Sequence, residues 1–196
     1  MAKHFMYGLM LYWAISLLPS NISKIWGIKN FSIAKIYFND KYHFLYQFAA
    51  RKNLDQALTE QADSLSNFNQ KITNNYKAGL GLNYLESYLG NGIIKKSIWD
   101  FSNYNSEKKV KSAQFLDLIK SQSDKDLSWF ENEYLKTNKK IDYTIKNITD
   151  KKDSLEITIL NKRDFAAPIQ LYGLKDKEIM FKKWIPKIDS TQTVTI

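Results

Sequence analysis

The chain has 196 residues, of which 44% are hydrophobic and 14% aromatic, a composition that supports a packed core and excludes wholesale disorder. It has no cysteine and two histidines, His4 and His43, which excludes disulfide scaffolds, thiolate metal sites, cysteine nucleophiles and a three-histidine metal centre within one chain. The formal charge of +9 is spread along the chain rather than gathered into one basic stripe, a pattern that argues against nucleic acid and supports only general attraction to anionic surfaces.

The amino-terminal run from Phe5 to Leu18, FMYGLMLYWAISLL, is interrupted only by Gly8 and Ser16. It is shorter than the roughly 20 apolar residues a bilayer core requires. A basic start before an apolar run imitates a signal peptide, but no small-x-small cleavage site follows, only Pro19-Ser20-Asn21-Ile22. A buried helix is the first reading of residues 5–18, and a signal or membrane anchor is the alternative. Membrane association through this stretch keeps a bacterial periplasmic or membrane-associated location ahead of a cytoplasmic one.

Up to about residue 140 the apolar residues recur at helical spacing, and beyond it they alternate. The pattern predicts an α+β chain: a helical domain over 1–140, then a small antiparallel β-sandwich over 141–196. Residues 40–50 read as a helix opened by Asp40. The polar stretch from Lys52 to Asn75 reads as a long irregular connection. A helix over 74–89 carries Tyr76, Leu80, Leu85 and Leu89 near one stripe, with Gly90 placed to end it. Gly92 opens the next, with Ile93, Ile94, Ile98, Trp99 and Phe101 as its apolar residues. Short helices follow over 111–120 and from Asp126 to about Lys136. Strands are predicted at 142–148, 155–159, 167–172, 178–185 and 191–196. Tyr143, Ile145 and Asn147 alternate in the first, and Leu155, Ile157 and Ile159 share one face of the second. The cluster from Asp150 to Asp153 makes the hairpin turn between them.

Catalytic patterns are scarce. No His-Glu-x-x-His helix exists, since Phe44 follows His43 and His4 is far away in the chain; His43 reads as a partly buried, aromatic-like residue. No glycine-flanked serine elbow occurs, and Gly79-Leu80-Gly81 lies inside a helix rather than in a phosphate loop. The pairs Asp124/Asp126 and Glu131/Glu133 suit helix starts and faces, where the helix dipole explains them.

One constellation is more specific. Asn75-Tyr76-Lys77-Ala78-Gly79-Leu80, followed by Leu85-Glu86 and Leu89-Gly90, resembles the helix downstream of the zinc motif in the gluzincin zinc aminopeptidases of the alanyl-aminopeptidase type. Ala50-Arg51-Lys52-Asn53-Leu54-Asp55-Gln56 is similar to the Arg-x-Asn-x-Asp-Gln run that precedes that helix in bacterial members. Asp126-Leu127-Ser128-Trp129-Phe130 resembles the family's Gly-x-Asp-Leu-x-x-Phe-Phe helix, with Lys125 and Glu131 as departures. Lys140-Ile141-Asp142-Tyr143 resembles the start of the immunoglobulin-like domain that follows. The resemblance covers residues 35–196. Ala57 replaces the proline that usually continues the Asp-Gln run, and Lys77-Ala78-Gly79 departs from the commoner x-Lys-Gly order.

The resemblance implies the carboxy-terminal portion of an aminopeptidase: part of the helical half of the catalytic domain, then an immunoglobulin-like domain. In that family zinc is held by His-Glu-x-x-His and a later glutamate, and a Gly-x-Met-Glu-Asn strand holds the substrate amine. This chain has neither motif. No cofactor or metal ligand is therefore assigned to it, and zinc is implied for the full-length family only. The family position that survives is Tyr76, the one implied catalytic residue, whose hydroxyl donates to the oxyanion of the tetrahedral intermediate. A phenol is protonated at neutral pH and can aim a hydrogen bond where negative charge develops. Without a metal-bound water nothing attacks the peptide carbonyl. The implied partners are a peptide substrate or an upstream zinc-bearing segment, with a non-catalytic peptide- or protein-binding module as the alternative function. Read without the family, Tyr76 is an ordinary aromatic residue on a helix stripe.

Overall fold

Asp40 opens the first helix of the computed structural model, which describes residues 40–104 and 112–196. The apolar run over residues 5–18 and His4 lie outside the described residues. Helix α1 (Asp40–Arg51) ends where Asn53 takes a left-handed conformation, φ 53°. There the amides of Asn53 and Leu54 donate to the carbonyls of Ala50 and Ala49 at 3.1 and 2.9 Å, a helix-stop geometry that asparagine tolerates better than branched residues do.

The polar stretch after α1 is more ordered than its composition suggests. Ala62–Ser64 forms a 3-10 turn. Ser66 then caps helix α2 (Asn67–Lys71), its hydroxyl accepting from the Asn69 amide at 3.2 Å. The backbone continues through a π turn, Ile72–Lys77, into helix α3 (Ala78–Leu89). The helix expected to begin at residue 74 therefore starts at Asn67, inside the segment expected to be irregular. The Ala78 amide donates to the Thr73 carbonyl five residues back, which is the defining bond of a π turn. The wide turn brings Ile72, Thr73, Asn74 and Lys77 all into the interior.

Helix α3 stops at Gly90, φ 73°, a conformation that costs an L-residue with a side chain roughly 1 kcal/mol or more. The Glu86 carboxylate then accepts from the Ile94 amide at 2.9 Å, so the end of one helix caps the start of helix α4 (Ile93–Tyr104). Helix α5 (Ser112–Ser121) packs on α4, with the Phe101 and Phe115 rings edge to face at 5.3 Å and Ile94, Ile98 and Ile119 buried. Trp99, expected among the apolar residues of α4, is exposed at 63%. It sits next to Ile98 in sequence and so points about 100° away from the buried stripe.

The chain divides into two compact units: the helices through Lys125 with Leu135–Asn138, and Asp126–Tyr134 with Lys139–Ile196. In the second, the Asp126 side chain accepts from the Ser128 amide at 2.8 Å and from its hydroxyl at 2.9 Å, opening a turn that continues as a π turn, Phe130–Leu135. Leu127, Trp129 and Phe130 are buried, and the Trp129 ring lies 6.5 Å from that of Phe165.

Five strands follow: β1 (Tyr143–Lys151), β2 (Ser154–Asn161), β3 (Ile169–Lys175), β4 (Glu178–Ile185) and β5 (Thr191–Thr195). They form an antiparallel three-stranded sheet in the order β1-β2-β5 and a two-stranded sheet, β3-β4. The architecture is α+β, helices first and small antiparallel sheets after. The β1–β2 register closes at Lys151 opposite Ser154, which puts the hairpin turn inside the expected Asp150–Asp153 cluster. Ile157 and Ile159 of β2 join Ile185 and Ile188 in a buried cluster, with Leu155, Ile169, Leu171 and Val194 packed against it.

The alternation expected in β1 breaks at a bulge between Ile145 and Asn147, after which Ile148, not Asn147, stands opposite Ile157. Ile145 and Ile148 are exposed on this edge strand. Tyr143 and Asn161 hold the loops: Asn161 donates to the carbonyls of Phe165 and Ile188 at 3.2 and 2.9 Å, and the Tyr143 hydroxyl donates to that of Ile188 at 3.3 Å. Burial raises the Tyr143 phenol above its ordinary value. At Gly173 the Phe181 ring lies against the backbone where a side chain would stand.

Candidate functional site

The two segments that carry the resemblance in the helical unit, 53–56 and 73–77, meet in a buried polar cluster. Lys77 projects inward from the π turn, and its Nζ stands 4.0 Å from the Asp55 carboxylate, the two side chains 1% and 0% exposed. The same ammonium donates to the Thr137 carbonyl at 2.8 Å and to the Gln56 carbonyl at 3.4 Å. An ammonium removed from water requires this combination of a counter-charge and hydrogen-bond acceptors.

Neighbouring side chains extend the cluster. The Thr73 hydroxyl donates to Asn69 Oδ1 at 2.8 Å and accepts from the Gln56 amide at 3.2 Å. Asn69 Nδ2 donates to the Leu54 carbonyl at 2.7 Å. The Gln56 side chain reaches across the loop, donating to the Ser64 carbonyl at 3.0 Å and accepting from the Ser66 amide at 3.1 Å. The Thr59 amide donates to the Leu135 carbonyl at 3.2 Å. Segments 54–59, 66–77 and 135–137 are thereby tied into one block. Tyr46, on α1, is pushed far above its ordinary value by burial and by the Asp55 carboxylate, so its phenol stays neutral at any physiological pH.

Tyr76 sits one residue before Lys77, on the π turn, half-buried. The Tyr42 ring of α1 meets it edge to face, centroids 5.1 Å apart and planes at 67°, a geometry favourable to aromatic pairs. Lys77 fixes the backbone on one side of Tyr76, and Tyr42 fixes the ring on the other. His43, expected to be partly buried, is instead exposed on α1; it neighbours Phe44 on the outer side of a helix whose buried residues are Ala49 and Ala50. Asp124/Asp126 and Glu131/Glu133 form no joint site: Asp126 caps its own turn and pairs with Lys187 at 3.3 Å, and Glu133 pairs with Lys139 at 2.8 Å. The bonds from Ser128 hold the Asp126 carboxyl below the usual carboxylate range.

The residues present do not fit a zinc ion. Among the described residues no group of three or more His, Cys, Asp or Glu is placed to hold a metal, and the one carboxylate in the buried cluster faces an ammonium. Among the described residues, no helix is long and apolar enough to cross a membrane. No family model matches the chain, and no curated protein or solved structure matches it.

The buried partners of Lys77 were missed by reading the sequence alone. The available signal was the spacing of Leu65, Asn69, Ile72 and Thr73, which places polar and apolar residues on one helix face. Polar composition masked it.

Proposed function

We propose that residues 40–196 are the carboxy-terminal portion of a gluzincin-type aminopeptidase fold, a part that presents Tyr76 and does not hydrolyse peptides by itself. The observation that carries this reading is the pairing of the two motif segments. Asp55 and Gln56 of the Asn-Leu-Asp-Gln run hold Lys77 and Thr73 beside Tyr76, so residues singled out by resemblance alone act as one unit. Tyr76 is the hydroxyl donor to a developing oxyanion on this reading, and the attacking water and its metal come from elsewhere.

The exposed apolar residues of α1 favour this portion over a self-contained binding module. Phe44 and Phe48 stand one helical turn apart, 68% and 51% exposed, with Leu45 beside them. Contiguous apolar exposure of this kind marks a surface that meets a partner, and on this reading the partner is the zinc-bearing segment.

Elemental analysis of the purified chain is expected to find no stoichiometric zinc, and assays are expected to find no bestatin-sensitive cleavage of aminoacyl anilides. The DNA immediately upstream of Met1 is expected to encode an in-frame His-Glu-x-x-His. Zinc-dependent turnover by the chain alone overturns the proposal. An upstream sequence without that motif, together with a monodisperse protein that binds no hydrophobic dye, favours the non-catalytic module instead.

A further inference from the structure

The β3–β4 hairpin carries an apolar end that nothing in its own sheet covers. Its two-residue turn, Asp176-Lys177, has positive φ at both positions, 50° and 71°, the requirement of the turn that matches strand twist most closely. Successive pairs across the hairpin alternate faces. Ile169 opposite Ile185 lies toward the buried cluster. Gln170 opposite Trp184, and Tyr172 opposite Lys182, lie on the other face. Near the turn a bulge in β4 sets both Ile179 and Met180 against Leu174. Tyr172, Leu174, Ile179 and Met180 are 46%, 66%, 50% and 63% exposed.

Lysines surround this patch. Lys175 and Lys177 flank the turn, and the Lys182 ammonium lies 5.7 Å from the centre of the Tyr172 ring. Lys183 extends to the Thr195 carbonyl at 2.8 Å. Asp176 and Glu178 are the opposing charges, leaving an excess of positive charge at this end. An apolar tip, amphipathic aromatics behind it and ammonium groups around it match the three layers of an anionic bilayer surface: acyl boundary, interface and headgroup.

We infer that the β3–β4 hairpin is a membrane-docking element that inserts Leu174, Ile179 and Met180 at the acyl boundary while Lys175, Lys177 and Lys182 engage anionic lipid headgroups. This inference does not rest on the aminopeptidase reading. Charge complementarity decides for lipid over a soluble polyanion, because the lysines encircle apolar side chains that a polyanion leaves in water.

The readout has to be local, since residues 5–18 form an apolar run able to partition independently. The chain has no cysteine, so Leu174→Cys carries a single nitrobenzoxadiazole label on the otherwise complete protein, and Lys152→Cys carries it at the β1–β2 turn as a control. Vesicles of phosphatidylcholine with about 30% phosphatidylglycerol are expected to raise the emission at position 174 about threefold or more, with a blue shift, and to leave position 152 unchanged. Lys175→Glu with Lys177→Glu and Lys182→Glu, verified as folded by circular dichroism, is expected to weaken the 174 response at least tenfold in lipid concentration. An unchanged label at 174, an equal response at 152, or a response to heparin without one to vesicles overturns the inference.

Discussion

Removing the charge of Asp55 tests whether the Lys77 cluster holds the helical unit together. At 4.0 Å and an effective dielectric constant near 20, the attraction between two unit charges is about 4 kcal/mol. Asp55→Asn preserves volume and hydrogen-bonding capacity while leaving the ammonium facing only neutral oxygens, those of Thr137 and Gln56. Breaking one side of a buried pair costs about 3–5 kcal/mol, a third or more of the stability of a typical domain. With a urea slope near 2 kcal/mol per molar, the midpoint followed at 222 nm is expected to fall by about 1.5–2.5 M.

Lys77→Met strands the Asp55 carboxylate and two carbonyl oxygens and is expected to cost at least as much. The double variant is expected to lose less than the two singles together, by at least about 1 kcal/mol. A tyrosine titration supplies a second, independent readout. Because the Asp55 carboxylate helps to raise the Tyr46 phenol, Asp55→Asn brings that phenol back toward its ordinary value. Additive variants, or a midpoint shift below about 0.5 M for Asp55→Asn, would refute the assignment of this pair as the lock on the cluster.

Tyr46 also predicts an alkaline limit to stability. Its folded value lies above the unfolded one, so the stabilisation is complete below about pH 10, the ordinary tyrosine value, and is lost as pH rises from there toward the folded value. Tyr46→Phe, which cannot ionise, is expected to flatten the fall in thermal midpoint between pH 9 and pH 11 relative to the parent chain; an identical fall in both contradicts the reasoning. At the β3–β4 turn, Lys177 occupies a φ of 71°. Lys177→Gly creates the Asp-Gly pair this turn favours and is expected to stabilise the β unit by about 0.5–1 kcal/mol in urea unfolding, net of the greater freedom of the unfolded chain. A lower midpoint would mean that the Lys177 side chain contributes more than its backbone strain costs.

The strands were legible because their faces differ. Leu155, Ile157 and Ile159 alternate with Glu156, Thr158 and Leu160, and the one apolar intruder, Leu160, does not hide the period of two. Gly90 was legible as a helix end for a reason that is local to the backbone. The start of the long helix was not, because Ser66, Asn67, Asn69, Thr73 and Asn74 have the composition of a loop. In the fold those same side chains bond one another, Leu54 and Gln56, and tertiary partners override the local preference. The bulge in β1 was invisible for a related reason: Ile145 and Ile148 are three residues apart, and only pairing with β2 brings them to one face. The Asp55–Lys77 pair joins residues 22 positions apart in sequence, a distance at which neither periodicity nor composition carries a signal. Tyr76, named from resemblance, lies beside this pair without belonging to it.

The residues of the recognised motifs do structural work almost throughout. Asn53 stops a helix, Asp55 balances a buried ammonium, Gln56 braces a loop, Glu86 caps a helix start, Gly90 ends α3, and Asp126 opens a turn. Each of these roles follows from backbone hydrogen bonding or desolvation, and none requires a substrate. A polypeptide that loses the zinc-bearing segment would therefore keep this pattern as long as it keeps the fold. Motif residues of this kind identify the scaffold, and chemistry has to be argued from a site. In this chain that argument reduces to Tyr76, whose described contact is the Tyr42 ring. Tyr76→Phe is therefore the substitution that separates scaffold from chemistry. If Tyr76 serves packing alone, the variant leaves every property unchanged. If it serves an oxyanion, the variant keeps the urea midpoint of the parent chain and loses activity, by about 100-fold or more, once the metal-bearing segment is supplied.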